Sequence, residues 1–299
     1  MNTQPDSKPT NAFTTLISVA ELQTLLQSTT PCMVFDCSCD LMQPALGPTQ
    51  YQEAHIPGAI YAHLDNHLSA KGDRSITQAA SGGRHPLPAR ETFATWLGSV
   101  GFHNGMQAVV YDRQGANYCG RLWWMLKWLG HANVAVLDGG WQAWQAAGGA
   151  SVQGAEAPAA AGTFAIGNAL VQLVDVDTVA KQLGTGRQLV LDARGAPRFR
   201  GEVEPIDPVA GHIPGALNRP FNMNLDADGR FKDAATLRAE FTALLGQRDP
   251  ATVVHHCGSG VSAVPNILAM QVAGLGPTAL FAGSWSEWCS DPARPVAKG

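Results

Sequence analysis

The five residues HIPGA at positions 55–59 occur again, letter for letter, at positions 212–216 of this 299-residue chain. Three further pairs of segments repeat in the same order: VFDCS at 34–38 with VLDAR at 190–194, VVYDR at 109–113 with VVHHC at 253–257, and GGW at 139–141 with GSW at 283–285. Ordered self-similarity across the whole chain indicates a duplicated domain.

Each half has the same predicted order of elements. A helical pattern comes first, at 16–26 and 174–183, and a short apolar strand follows that ends in Asp36 or Asp192. A second strand, a helix and a third strand come later in each half, at 108–111, 121–129 and 134–137, and at 252–255, 262–272 and 279–282. Short strands alternating with helices predict an α/β fold in which each half is a parallel sheet flanked by helices.

The domain boundaries follow from composition and periodicity. We expect a first domain over 13–150 and a second over 168–299, joined by a linker over 151–167 that is rich in alanine and glycine and has no periodicity. The first half carries 13 extra residues between its HIPGA copy and its VV strand, and His85 lies in that insertion.

Composition narrows the classes of partner. A formal net charge of −4 leaves no basic surplus for phosphates, so nucleic acid is not expected as a partner. No apolar run approaches the length of about 18 residues that a membrane span needs, so we expect no membrane partner. The polar first dozen residues predict a short disordered leader and a cytoplasmic protein.

The cysteines indicate reduced thiols rather than a scaffold. Six cysteines in 299 residues are few for a disulfide framework, and the CxC at 37–39 lacks a second pair at zinc-site spacing. We therefore predict no structural metal and no cofactor. The six cysteines are Cys32, Cys37, Cys39, Cys119, Cys257 and Cys289.

Only Cys257 has a setting that suggests chemistry. It ends the strand pattern TVVHH and precedes a glycine-rich loop and an apolar helix, at the sheet edge where α/β folds bind ligands. Gly258 and Gly260 remove side chains and permit positive φ, so that consecutive backbone N–H groups can surround the sulfur and stabilise a thiolate or persulfide. Ser262 can cap the following helix, and Pro265 is tolerated only in its first turn, so we expect the helix to begin near 261–264.

Taken together, these motifs resemble tandem-domain rhodaneses. The resemblance rests on the duplicated halves, both HIPGA copies, GRHPLP at 83–88, RLWWMLKWLGH at 121–131 and CGSGVSA at 257–263, and it runs from about residue 13 onward. It implies two rhodanese-like domains, of which only the second is catalytic. It also implies a sulfurtransferase that moves sulfur from a small-molecule donor through a Cys257 persulfide to cyanide or a thiol, with a thioredoxin-like reductant as a further partner.

The resemblance also implies roles for other residues. Ser259, His85 and Asp65 match a serine, histidine and aspartate that are proposed to form a relay in 3-mercaptopyruvate sulfurtransferases. Arg198 matches the arginine that binds the donor's anionic group. The loop residues of the donor site are Gly258, Gly260, Val261 and Ser262. For Asp65 a turn or cap role, and for Arg198 a surface ion pair with Glu202 or Glu204, are the structural alternatives.

Two sulfur donors are compatible with the sequence. An uncharged CGSGV loop favours 3-mercaptopyruvate, because thiosulfate is a dianion that gains from cationic side chains beside the sulfur. The mercaptopyruvate enzymes also have a second arginine after an acidic-proline segment, where this chain has Ile206 and Asp207, and this leaves thiosulfate as the alternative donor.

Two functions from other classes compete. Phosphatases of this architecture place an arginine six residues after the cysteine, where this chain has Ala263, and without it the phosphate oxygens lose their main charge stabiliser. The second alternative is a non-catalytic binding module, and such a function would not explain why a cysteine lies within a glycine-rich loop.

Overall fold

The computed structural model describes residues 12–71 and 79–299. All of the expected leader except Ala12, and residues 72–78 of the insertion in the first half, lie outside the described residues. Within the described part of the chain, the strands form two five-stranded parallel sheets, one from each half. The predicted α/β class with two parallel sheets is confirmed.

The first sheet has the strand order β1-β5-β4-β2-β3. Helices lie between its strands along the chain, as parallel connections require. Its strands are β1 (Leu16–Ile17), β2 (Cys32–Asp36), β3 (Ile60–Tyr61), β4 (Gln107–Tyr111) and β5 (Val134–Leu137), and the helices are α1 (Val19–Leu26), α2 (Leu46–Glu53), α3 (Arg90–Ser99), α4 (Cys119–Trp128) and α5 (Gly140–Ala146).

The second sheet repeats this arrangement as β6-β10-β9-β7-β8. Two short 3₁₀ helices, Phe221–Asn224 and Pro250–Thr252, accompany it. Its strands are β6 (Gln172–Val174), β7 (Leu189–Asp192), β8 (Leu217–Asn218), β9 (Val253–His256) and β10 (Ala279–Phe281), and the helices are α6 (Val176–Gln182), α7 (Ala196–Phe199), α8 (Ala234–Leu245), α9 (Val264–Val272) and α10 (Ser284–Trp288).

The opening helical pattern of each half was partly wrong. Leu16 and Ile17 form β1, and Val174 ends β6, so each helix begins later than predicted. The cause is a cap: the Ser18 side chain accepts a hydrogen bond from the Glu21 amide at 3.3 Å, and α1 therefore begins at residue 19. Strands of two or three residues are too short to show a period of two, which is why the sequence did not reveal them.

The two HIPGA copies have a structural role. In each copy the histidine Nδ1 lies 2.8 Å from a backbone carbonyl, that of Tyr51 for His55 and that of Phe199 for His212, and each imidazole stacks on the same partner's ring. The glycines, with φ of +77° and +78°, close the turn that leads into β3 or β8. The duplicated motif thus anchors one edge of each sheet.

The two halves share one hydrophobic core. A single cluster of buried side chains extends from β2 and α4 in the first half to α9 in the second. Helix α4 packs against α9, and Gly120 lies so near Val264 that a Cβ on the glycine would be in van der Waals contact with Val264 Cγ1, at 3.4 Å. This interface brings first-half residues to the end of β9. None of the described helices is long and apolar enough to cross a membrane.

Strand register corrects the alignment of the two halves by one residue. Asp36 lies beside Tyr111 in the first sheet, and Asp192 lies beside His256 in the second. Asp112, rather than Arg113 as the VVYDR and VVHHC alignment suggested, therefore occupies the position of Cys257. Helices α4 and α9 begin the same number of residues after these two positions.

Candidate active site

Cys257 follows the last residue of β9 and begins the loop that leads to α9. Positive φ occurs in this loop only at Gly260, at +74°, and a Cβ there would collide with the backbone oxygen of Ala282. Any other residue at 260 would have to move the end of β10. The Cys257 residue is only 2% exposed, so the loop encloses the thiol almost completely.

The start of α9 differs in one detail from the prediction. The helix begins at Val264, inside the expected range, and Pro265 lies in its first turn. Ser262 is not its cap: Ala263 precedes the helix with α-helical dihedral angles, and no side chain caps it. The loop enters the helix through a tight turn in which the Val264 amide donates to the Val261 carbonyl at 3.1 Å, so the serine lies one residue too early.

The first half shows what such a loop binds. The Asp112 carboxylate accepts hydrogen bonds of 2.7–3.0 Å from four backbone amides, those of Gln114, Ala116, Tyr118 and Cys119. Burial raises the pKa of Asp112, and these four bonds act in the opposite direction by favouring its charged form. The amides of this loop therefore converge on a negative group at the end of β4.

The corresponding amides of the second half have no such acceptor. Within the described residues, the backbone N–H groups of residues 258–263 donate to no protein atom, although all but one of these residues are buried. Buried amides without acceptors are rare because each forgoes a hydrogen bond with water. Gly115 and Gly260 occupy equivalent positions in the two loops and have similar φ values, +68° and +74°. The residues that follow them differ in backbone conformation, because Ala116 has a positive φ and Val261 does not. The loop around Cys257 is thus equipped to surround an anion.

The three residues expected to form a relay lie in contact. His85 Nδ1 is 2.7 Å from Ser259 Oγ, across the domain interface, and His85 Nε2 is 3.4 Å from Asp65 Oδ1. Lys71 Nζ lies 3.2 Å from both Asp65 oxygens. The His85 side chain is only 2% exposed, whereas that of Asp65 is 28% exposed.

Charge and burial define the protonation states of this group. The bond to His85 is the main reason that the pKa of Asp65 falls to about 2, and Lys71 adds to the effect. Burial lowers the pKa of His85, and the Asp65 carboxylate opposes that shift only in part. Because an ionised carboxylate only accepts, the proton of neutral His85 lies on Nε2, and Nδ1 is left to accept from Ser259.

Arg121, which the sequence did not single out as a functional residue, holds these parts together. Its fully buried guanidinium donates to the carbonyls of Gly260, at 3.0 Å, and His85, at 2.9 Å, and also to that of Leu68. Burial lowers the pKa of Arg121 to about 10, and the proximity of Cys257 opposes this shift. The sequence feature that could have identified Arg121 is its position at the start of the RLWWMLKWLGH segment. However, a single arginine in an apolar helix does not reveal which groups it binds.

Two further guanidinium groups lie beside the loop. A Cβ on Gly258 would lie 3.1 Å from Arg84 Nη2 and 3.6 Å from Arg198 Nη1. Arg198 pairs with Glu204 at 2.6 Å and with Asp207 at 3.2 Å, while Glu202 pairs with Arg200 instead. Arg84 adjoins His85 in the GRHPLP motif and was missed because nothing in the first half indicates that it reaches the second.

The other thiols lack this environment. Burial is the main cause that raises the pKa of each: to about 12 for Cys32 and Cys39, well above the ordinary range for Cys37 and Cys119, and to a lesser extent for Cys289. Thiols with raised pKa values are protonated at neutral pH and react slowly as nucleophiles.

A cavity of about 100 Å³ opens next to the relay group. Its wall includes Asp65, His85 and Arg84 from the first half and Ile206 from the second, and Cys257 itself is not part of the wall. No cluster of three or more metal-binding side chains occurs within residues 12–71 and 79–299.

Comparison with known proteins shows similarity over both halves. The sequence profile described as Rhodanese-like domain matches residues 18–147 and again 175–291. A Pseudomonas aeruginosa protein named probable 3-mercaptopyruvate sulfurtransferase is 46% identical over 268 residues, covering 89% of this chain and 92% of that protein. A Mycobacterium tuberculosis protein named putative thiosulfate sulfurtransferase is 39% identical over 284 residues, covering 95% and 97%. The solved structure of a 3-mercaptopyruvate sulfurtransferase from Leishmania major, 31% identical, superposes with a TM-score of 0.79 and covers 97% of this chain and 77% of that one.

The protonation state of His85 is directly testable by NMR. We expect the proton of neutral His85 on Nε2 at pH 7, and a titration midpoint below the ordinary histidine value of 6.5, because burial disfavours the imidazolium. In Asp65→Asn the midpoint should fall further, since the carboxylate that favours the charged ring is gone. Nitrogen-15 shifts of the imidazole measure both quantities, with exposed His103 as a reference in the same spectrum. A doubly protonated His85 at pH 7 would contradict the assignment.

Proposed function

Because the chain belongs to the rhodanese family, with two rhodanese-like domains in tandem, we propose that it is a sulfurtransferase that carries the transferred sulfur as a persulfide on Cys257. The observation that carries this proposal is the row of backbone amides at 258–263, all but one in buried residues, that have no acceptors among the described residues and lie beside a thiol at the position where the first domain holds the Asp112 carboxylate. Peptide dipoles directed at one atom stabilise a negative sulfur without a metal.

We propose 3-mercaptopyruvate as the preferred donor. The Cys257 thiolate attacks the donor's sulfur, an S–S bond forms, and the donor's C–S bond breaks, so that its electron pair leaves on the three-carbon fragment as the enolate of pyruvate. The donor's thiol proton moves to the relay and is then returned to the enolate carbon, which yields pyruvate. An acceptor thiol or cyanide next attacks the outer sulfur and restores the Cys257 thiolate.

Ser259, His85 and Asp65 supply the route for that proton. Neutral His85 accepts the Ser259 proton at Nδ1 while Ser259 Oγ takes the proton of the donor thiol, and Asp65 stabilises the imidazolium that forms. The lowered pKa of His85 makes it a weak base, suited to returning the proton to an enolate in the same turnover.

Thiosulfate is the second candidate donor, and one observation favours it. Arg84 and Arg198 both lie beside Gly258, so the site has cationic groups that the loop sequence lacks. Against thiosulfate, Glu204 and Asp207 neutralise these arginines, and a dianion therefore gains little there. The relay also points to mercaptopyruvate, because the outer sulfur of thiosulfate carries no proton at neutral pH.

The setting of the reaction belongs to the same proposal. We place the protein in the cytoplasm, where thiols stay reduced, and take a cellular thiol or a thioredoxin-like reductant as the acceptor of the persulfide sulfur. The neighbouring loop residues Gly258, Gly260, Val261 and Ser262 bind the donor and the persulfide through their backbone.

Replacing the proposed sulfur carrier tests the function. Cys257→Ser should abolish sulfur transfer to cyanide with either donor, because the alcohol cannot form a persulfide, while the folded state is retained. After exposure of the wild type to 3-mercaptopyruvate, mass spectrometry should show the mass of one added sulfur on the peptide that contains Cys257. A gain on the peptides of Cys37 or Cys119 instead, or appreciable turnover by Cys257→Ser, would refute the proposal.

The two donors should respond differently to loss of the relay. Ser259→Ala should lower kcat with 3-mercaptopyruvate roughly 100-fold, the usual contribution of a positioned proton acceptor, and leave thiosulfate turnover unchanged. Steady-state rates at equal cyanide concentration measure both. An equal loss with the two donors would mean that Ser259 serves only to shape the loop.

A further inference from the structure

We propose that Arg84, which comes from the first domain, acts together with Arg198 to bind the carboxylate of the sulfur donor. The inference rests on the proposed sulfurtransferase function and concerns the same site. It makes donor recognition a property of the domain interface, since one arginine of the pair belongs to each domain.

The first support is the convergence of the two side chains on the residue after Cys257. Arg84 Nη2 and Arg198 Nη1 and Nη2 lie 3.1, 3.6 and 3.7 Å from the point where a Cβ of Gly258 would be. Guanidinium groups this close together repel each other unless an anion lies between them. A carboxylate can bridge the two because each presents paired N–H donors in a plane.

The second support is the way Asp207 holds the pair. The Asp207 carboxylate accepts hydrogen bonds from Arg84 Nη1 and, at 3.2 Å, from Arg198 Nη2. Its side chain is only 4% exposed, so it is a fixed part of the site. Asp207 therefore orients both guanidinium groups before a donor arrives, which lowers the entropy cost of binding.

The third support is that both arginines have N–H groups not used by the protein contacts named above and side chains partly exposed to solvent. Among the described residues, Arg84 Nη2 and Arg198 Nη1 donate to no protein acceptor, and these are the atoms nearest to Gly258. Their side chains are 23% and 20% exposed, and Arg84 lines the cavity that also exposes Asp65 and His85. A donor in that cavity contacts Arg84 and His85, while Arg198 and Ser259 lie outside its wall.

Charge indicates which anion the pair prefers. Arg84 and Arg198 are offset by Asp207 and Glu204, so the group as a whole has no net charge. One added negative charge can be accommodated by the remaining N–H donors, while a second would be repelled by the two resident carboxylates. The site therefore suits a monocarboxylate such as an α-keto acid better than a dianion.

The test compares two donors that differ only in the carboxylate. Mercaptoacetone has the thiol and the keto group of 3-mercaptopyruvate, with a methyl group in place of the carboxylate. For Arg84→Ala we expect kcat/KM with 3-mercaptopyruvate to fall roughly 10- to 100-fold, mostly through KM, as for loss of a charge-assisted hydrogen bond. Turnover of mercaptoacetone should not change, and Arg84→Lys should recover part of the loss because it restores the charge but not the planar fork.

Arg200→Ala is the matched control. Arg200 lies near Arg198, but its guanidinium pairs with Glu202 at the surface, so its loss should affect neither donor. Thermal unfolding of all variants identifies any that fold poorly, and Arg84→Lys provides the comparison should Arg84→Ala be one of them.

Two results would overturn the proposal: an equal loss with both donors in Arg84→Ala, or unchanged kinetics with 3-mercaptopyruvate. These outcomes differ from failure of the proposed function itself. In that case the wild-type protein would turn over neither donor and would form no persulfide on Cys257.

Discussion

Backbone N–H groups that need an acceptor at the end of a central strand are the constraint on which both domains depend. In the first domain the acceptor is the Asp112 carboxylate, which accepts hydrogen bonds from four backbone amides between β4 and α4. In the second, the equivalent loop leaves the amides of 258–263 without protein acceptors around Cys257. Amides in buried residues are costly unless they find acceptors, and the proposed persulfide on Cys257 would supply one.

The duplication explains why the two domains diverged in role. A carboxylate that belongs to the chain satisfies the first loop permanently, so that domain has no place there for a transferred atom. It contributes instead across the interface, where Arg121 binds the carbonyls of Gly260 and His85, and His85 contacts Ser259. The proposed chemistry then needs both domains: one carries the sulfur, and the other supplies the proton acceptor and a share of the donor site.

The sequence predicted the features that repeat along the chain and those set by residues that are neighbours in the chain. The HIPGA copies and strand patterns predicted two α/β domains, and the glycines after Cys257 singled out its loop. The alignment of the halves was off by one residue, because VVYDR and VVHHC match by their valines, and this concealed the equivalence of Asp112 and Cys257. Arg84 and Arg121 were missed because their partners in the second half, Asp207 and Gly260, lie more than 100 residues away in the chain, and no local period encodes such contacts.

The free energy of unfolding of Cys257→Asp tests the convergence of amides most directly, because it places in the second loop the group that fills the first. If the amides of that loop point inward, the new carboxylate finds the donors that Asp112 finds, and stability at pH 7 should stay within about 1 kcal/mol of Cys257→Ala. If they point elsewhere, the variant buries an unpaired charge and should lose roughly 3–5 kcal/mol or fail to fold, which would contradict the account.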